Sequence, residues 1–93
     1  MTFKRNVPEC IQNEINEFKK TRICDKKAKV SEYVFQDAYV YVFSQGSCGA
    51  DFGADVLDEK CNFLGMLGGF TGHTKIKGEE FSKAEFQRII WEE

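Results

Sequence analysis

The sequence predicts a small α+β domain: an N-terminal helix, an antiparallel meander of about four strands and a C-terminal helix, with the helices packed on the sheet and two disulfides tying them to it. Three observations carry this. Apolar residues recur at helical spacing after Pro8. The segment Ala38 to Ser44 (Ala-Tyr-Val-Tyr-Val-Phe-Ser) is β-branched and aromatic on both alternating sets. Four cysteines, Cys10, Cys24, Cys48 and Cys61, are widely spaced, even in number and without a Cys-x-x-Cys pair.

The elements follow in chain order. Pro8 suits a first helical turn, and Ile11, Ile15 and Phe18 then line one face, so the spacing predicts a helix over 8–22. Residues 30–36 alternate and read as a first strand, Asp37 turns the chain, and residues 38–44 make a second strand. Its two faces, Tyr39/Tyr41/Phe43 and Val40/Val42, are both apolar, which predicts a central strand covered on both sides. Residues 51–57 read as a third strand, turned back by Asp58-Glu59-Lys60 into a fourth over 62–67. Gly65, Gly68, Gly69 and Gly72 predict a bend before a short edge strand at 75–77. Ser82-Lys-Ala-Glu85 has the form of a capping box, Phe81 and Phe86 are placed as a hydrophobic staple, and Phe86, Ile89 and Ile90 then form an inward stripe ending near Trp91. A C-terminal helix is expected there.

Helix length constrains the cysteines. Cys10 lies in the first turn and Cys24 just past the end, so a continuous helix separates them by roughly 21 Å. A disulfide needs Cα atoms within ~7 Å. An antiparallel meander puts Cys24 beside Cys48 at one end of the sheet and brings Cys61 back to Cys10 at the other. The expected pairs are Cys10 with Cys61 and Cys24 with Cys48. Zinc would want short chelating pairs, whereas the gaps here are 13, 23 and 12 residues. Redox catalysis would want a low-pKa thiolate beside a resolving partner, and no motif supplies one.

The chain of 93 residues is expected to form a single domain, spanning 1–93, and 42% hydrophobic content with nine phenylalanines argues for a packed interior. A core of this size leaves thin stability, so cross-links matter. A net charge of −2 hides an asymmetry: residues 1–29 hold eight basic and four acidic side chains, residues 30–93 five and eleven. The basic residues Lys19, Lys20 and Arg22 close the helix, where cations complement its carbonyl end, so nucleic acid is not the expected partner. No apolar run reaches membrane-spanning length, and the first residues lack a signal-peptide core. The disulfides nonetheless predict an extracytoplasmic location, periplasmic, cell-surface or secreted, after removal of an N-terminal signal.

Each candidate site also has a plainer structural role. His73, the single histidine, has no sequence partner for acid–base or nucleophilic work and reads as a surface-loop residue. Asp51, Asp55, Asp58 and Glu59 do not follow an EF-hand pattern and read as turn-capping and solvated groups. The glycines of 65–72 lack the strand-and-helix context of a phosphate loop. Tyr33, Phe35, Tyr39, Tyr41 and Phe43 could offer an aromatic sheet face, although aromatic stripes more often belong to cores. No catalytic, metal or cofactor site is expected. The loop Gln45-Gly46-Ser47-Cys48-Gly49 resembles the Gln-x-Val-x-Gly hairpin of cystatins, with Ser47 where that motif has valine. This resemblance implies an alternative role as a protease-inhibitor module, with Gln45, Gly46, Ser47 and Gly49 as the binding loop.

Residues 39–43, Cys48, the run from Ala54 to Gly72 and the closing Ile-Ile-Trp91 resemble a family of small uncharacterised secreted or lipid-anchored proteins of Bacteroidetes-type bacteria. The resemblance spans Cys10 to Trp91, with the core Asp58-x-x-Cys61-x-x-Leu64-Gly65-x-x-Gly68-Gly69. It implies an extracytoplasmic compartment, and proximity to a membrane where a lipid-anchor signal has been removed, but no chemistry. The expected function is therefore a non-enzymatic, disulfide-stabilised module that binds a protein, peptide or glycan.

Overall fold

Helix α1 (Glu9–Thr21) begins where the Pro8 carbonyl accepts the Gln12 amide at 3.0 Å, and it carries Glu9 in its first turn with Lys19 and Lys20 in its last. Both placements suit the helix dipole. The computed structural model describes residues 7–21, 28–44, 53–68 and 73–92. Ile11, Ile15 and Phe18 are buried, as their spacing predicts. No helix among the described residues is long and apolar enough to cross a membrane.

Strands β1 (Lys29–Phe35), β2 (Ala38–Ser44), β3 (Gly53–Asp58) and β4 (Phe63–Gly68) form the expected antiparallel meander. The β1–β2 connection is a tight two-residue turn in which Gln36 (φ 52°) and Asp37 (φ 64°) are both left-handed, the geometry that matches the right-handed twist of the flanking strands. A side chain at such a φ is strained. Asp37→Gly is therefore expected to raise the unfolding free energy by about 0.5–1 kcal/mol, measured by urea unfolding.

The strand count and the C-terminal helix require correction. The short strands β5 (Lys75–Ile76) and β6 (Glu79–Glu80) form a separate hairpin, and a 3-10 turn, Phe81–Lys83, leads into strand β7 (Glu85–Glu92). β7 pairs antiparallel with β1 and completes a five-stranded sheet in the order β4-β3-β2-β1-β7. Ser82 caps no helix: the turn closes after a single Ala84 N–H to Phe81 carbonyl bond of 2.9 Å, and Ala84 is already extended. The physical reason is long-range pairing. A meander ending at β1 exposes a row of unpaired amides and carbonyls, and Phe86, Ile89, Ile90 and Trp91 are good strand formers, so pairing with β1 overrides the local cap signature.

The sheet is covered on both faces, but by different elements. On one face α1 packs through Ile11, Ile15 and Phe18 against Val30, Tyr41 and Phe43, with Trp91 at the margin. The Phe18 ring meets Phe43 edge-on at 5.5 Å and Trp91 at 6.0 Å. On the other, Phe35, Val40, Val42 and Val56 lie beneath Ile76 of the β5–β6 hairpin. Thus the expectation that β2 is covered on both sides holds, with α1 as one cover and the β5–β6 hairpin as the other. Gly65 makes the seating possible, since a Cβ there would lie 2.9 Å from Ile76 Cδ1. Gly65→Ala is expected to displace the hairpin and cost about 1–3 kcal/mol, seen as a lower urea midpoint with shifted Ile76 methyl resonances.

Cys10 and Cys61 are bridged, with Cα atoms 6.2 Å apart, and the bond joins the first turn of α1 to the β3–β4 turn. The expected second pair, Cys24 with Cys48, falls on residues outside the described set, and Cys10–Cys61 is the disulfide found among the described residues.

Candidate functional site

The hairpin-side face carries an open groove of about 440 Å³, lined by Tyr33, Leu67, His73, Thr74, Glu80, Phe81, Ser82 and Ala84. Its volume is in the range of ligand pockets. β1 supplies Tyr33, and β4 supplies Leu67. His73 is held beside β4 by paired backbone bonds with Gly68, of 2.7 and 3.1 Å. The Phe81 amide donates to the Thr74 carbonyl at 2.9 Å, which fixes the 3-10 turn over the groove. Tyr33 and Phe81 supply its aromatic wall, with rings 5.1 Å apart, and a row of rings continues beyond the groove to Phe35, 5.0 Å from Phe81, and to Phe86, 5.6 Å from Tyr33. The row runs from buried Phe35 to Phe86, which is 55% exposed, and Ile89 on the same strand adds a further exposed apolar group. The polar groups in the groove are Glu80, whose carboxylate accepts the Thr74 hydroxyl at 3.3 Å, with His73 and Ser82 nearby.

A buried polar row lies on the opposite, helix-side face. Tyr41, fully buried, donates its hydroxyl to Glu32 Oε2 at 2.9 Å, and Arg88 Nε donates to Glu32 Oε1 at 3.0 Å. The three residues stand in cross-strand register on β2, β1 and β7. With the Glu32 side chain 3% exposed, the carboxylate cannot meet a dissolved substrate, so the row serves the register of β7.

The turn that carries Cys61 is organised by Asp58. Its Oδ1 accepts the Lys60 and Asn62 amides at 2.8 and 2.9 Å, and Oδ2 accepts the Asn62 side-chain amide at 3.1 Å. Cys61 sits within it at φ 65°. The turn-capping role expected of Asp58 is the one observed. Burial alone would raise the Asp58 carboxyl, but the Asn62 and Lys60 hydrogen bonds and the Lys60 charge outweigh it and leave it below the ordinary carboxylate range. A depressed value means that the carboxylate contributes stability fully present above the unfolded-state pKa, about 3.9, and lost as pH falls through the folded-state value. Asp58→Asn is expected to be less stable than wild type at neutral pH, with the two stability curves converging in acid, as followed by thermal unfolding across pH.

Other sequence candidates are dispersed. Asp55 lies on the helix-side face of β3, opposite Met66, and burial pushes its carboxyl up; Asp58 and Glu59 are at the turn, and Asp51 lies outside the described residues. Among the described residues no three metal-ligating side chains come together. Gln45, Gly46, Ser47 and Gly49, the loop compared with cystatins, also lie outside the described residues. The aromatic stripe divides by strand parity: Tyr39, Tyr41 and Phe43 join the helix-side core, while Tyr33 and Phe35 face the hairpin. Sequence reasoning missed Glu80, Phe81, Ser82 and Ala84 as groove residues, because the segment read as a helix start. It also placed His73 in a surface loop without linking it to Tyr33, which lies far away along the chain.

The fold and groove define a small antiparallel-sheet domain, helix on one face and hairpin on the other, with an open, partly aromatic groove on the hairpin side. The chain belongs to a family described as a domain of unknown function, DUF6970, which matches residues 16–93. The Asp58 turn and Cys61 lie inside the matched span and Cys10 before it. No curated protein and no solved structure matches the chain.

Proposed function

We propose that this domain is an extracytoplasmic, non-enzymatic recognition module that takes a protein or peptide ligand in the hairpin-side groove. The carrying observation is the groove itself: the aromatic side chains of Tyr33 and Phe81 in its lining, exposed Phe86 against Tyr33, and a few convergent polar groups. The extracytoplasmic placement is supported by the half-exposed Cys10–Cys61 bridge, since disulfides of this kind persist in oxidising compartments.

A peptide-display library selected against the wild-type domain tests the reading, with the selected peptides re-measured on Ser82→Trp, which fills the groove from an exposed position. Binding weakened at least 10-fold by Ser82→Trp is expected. Selection yielding no binders, or binders indifferent to the substitution, would overturn the groove as the site. The placement is tested by alkylating the protein in its native cells without reductant: Cys10 and Cys61 should remain unmodified, and their alkylation would refute it.

A further inference from the structure

We propose that the groove recognises the guanidinium side chain of an arginine presented by a partner protein or peptide. This rests on the recognition reading above and names the ligand chemistry. Glu80 carries the inference. Its carboxylate is half-buried in the groove, where it meets the Thr74 hydroxyl at 3.3 Å and forms no ion pair among the described residues. Lys75 stands opposite Glu80 in the hairpin register, yet the two side chains do not pair. A carboxylate removed in part from water gains most from a cation brought to it.

The rest of the lining suits the stem and plane of that cation. Leu67 and Ala84 offer an apolar path for a propyl stem, which long basic side chains bury readily. Tyr33 and Phe81 hold their rings 5.1 Å apart and inclined by 65°, so they present aromatic surface in more than one direction beside Glu80. A guanidinium stacks on aromatic faces and binds a carboxylate through two parallel donors, which an ammonium cannot do. The Ser82 and Thr74 hydroxyls are available as acceptors for its remaining N–H groups. Strand addition along β7 is a poorer account, because two register shifts between β1 and β7 twist that edge, a device that discourages pairing.

The test is a titration of the ¹⁵N-labelled, disulfide-intact domain with acetyl-Gly-Arg-Gly-amide, with the citrulline peptide, which keeps the shape and loses the charge, and with lysine and glutamate counterparts. The arginine peptide is expected to shift the amides of Tyr33, His73, Glu80 and Phe81. It should bind at least 10-fold more tightly than the citrulline peptide and about 3-fold more tightly than the lysine peptide, and lose about 5–10-fold on Glu80→Gln. Equal binding of arginine and citrulline peptides in the groove, or preference for the glutamate peptide, would overturn the cation assignment while leaving the recognition reading standing. If no probe shifts groove amides at millimolar concentration, while display-selected peptides still bind there, the arginine assignment falls alone. If neither binds there, both readings fall.

Discussion

Replacing Cys10 and Cys61 together by serine is expected to lower the unfolding free energy by about 4 kcal/mol, the largest single effect in the molecule. The bond spans 51 residues of sequence and ties the first turn of α1 to the β3–β4 turn, so its loss frees a long loop in the unfolded chain. A domain of this size has a total stability of order 5–15 kcal/mol, so this is a large share of it. Urea unfolding of the double variant should show a much lower midpoint. Because the effect lies mainly in the unfolded chain, the native amide spectrum of the variant should stay close to that of wild type outside the two turns. A loss of unfolding free energy below about 1 kcal/mol would mean that Ile11, Ile15 and Phe18 hold the helix without help.

Much of this bridge is legible in the sequence. A helix long enough to keep Cys10 from Cys24, followed by a meander, leaves Cys61 returning to the helix start, and those are statements about reach and direction. β1 to β4 were equally legible because two-residue periodicity and turn residues act locally. β7 was not. Ser82, Glu85, Phe81 and Phe86 satisfy the local rules for a helix start, and only the open edge of β1, some fifty residues away, makes the same segment a strand. The apolar character of both β2 faces correctly required two covers, but Lys75–Glu80 is too short and too charged to announce itself as one. The groove was illegible for the same reason: Tyr33, Leu67, Glu80 and Phe81 meet only once the hairpin has folded back over the sheet. The Asp58 turn, by contrast, is written in a five-residue stretch.

The second large effect is expected at the Tyr41–Glu32–Arg88 row. Arg88→Ala should cost about 3 kcal/mol, because it takes the guanidinium from a carboxylate that is 3% exposed and held at 3.0 Å. Tyr41→Phe should cost about 1–2 kcal/mol through the loss of a buried hydroxyl-to-carboxylate bond of 2.9 Å. Replacing the ionic pair by Glu32→Leu with Arg88→Met should be far milder than Arg88→Ala, since a packed apolar pair removes the desolvation penalty together with the attraction. Equilibrium unfolding of the three variants distinguishes these cases, and equal costs for Arg88→Ala and the double replacement would refute a role for the charge. Register gives a sharper readout than stability. The β1–β7 ladder shifts between Val30 and Ser31 and again between Glu32 and Tyr33, so the Glu32–Arg88 pair sits between the two irregularities and pins the strand where hydrogen bonding alone is least specific. Freed from that pin, β7 should exchange its amide hydrogens faster than β2 in the same molecule. Phe86 should then lose its fixed 5.6 Å contact with Tyr33, so that a substitution on the helix-side face loosens the groove on the other.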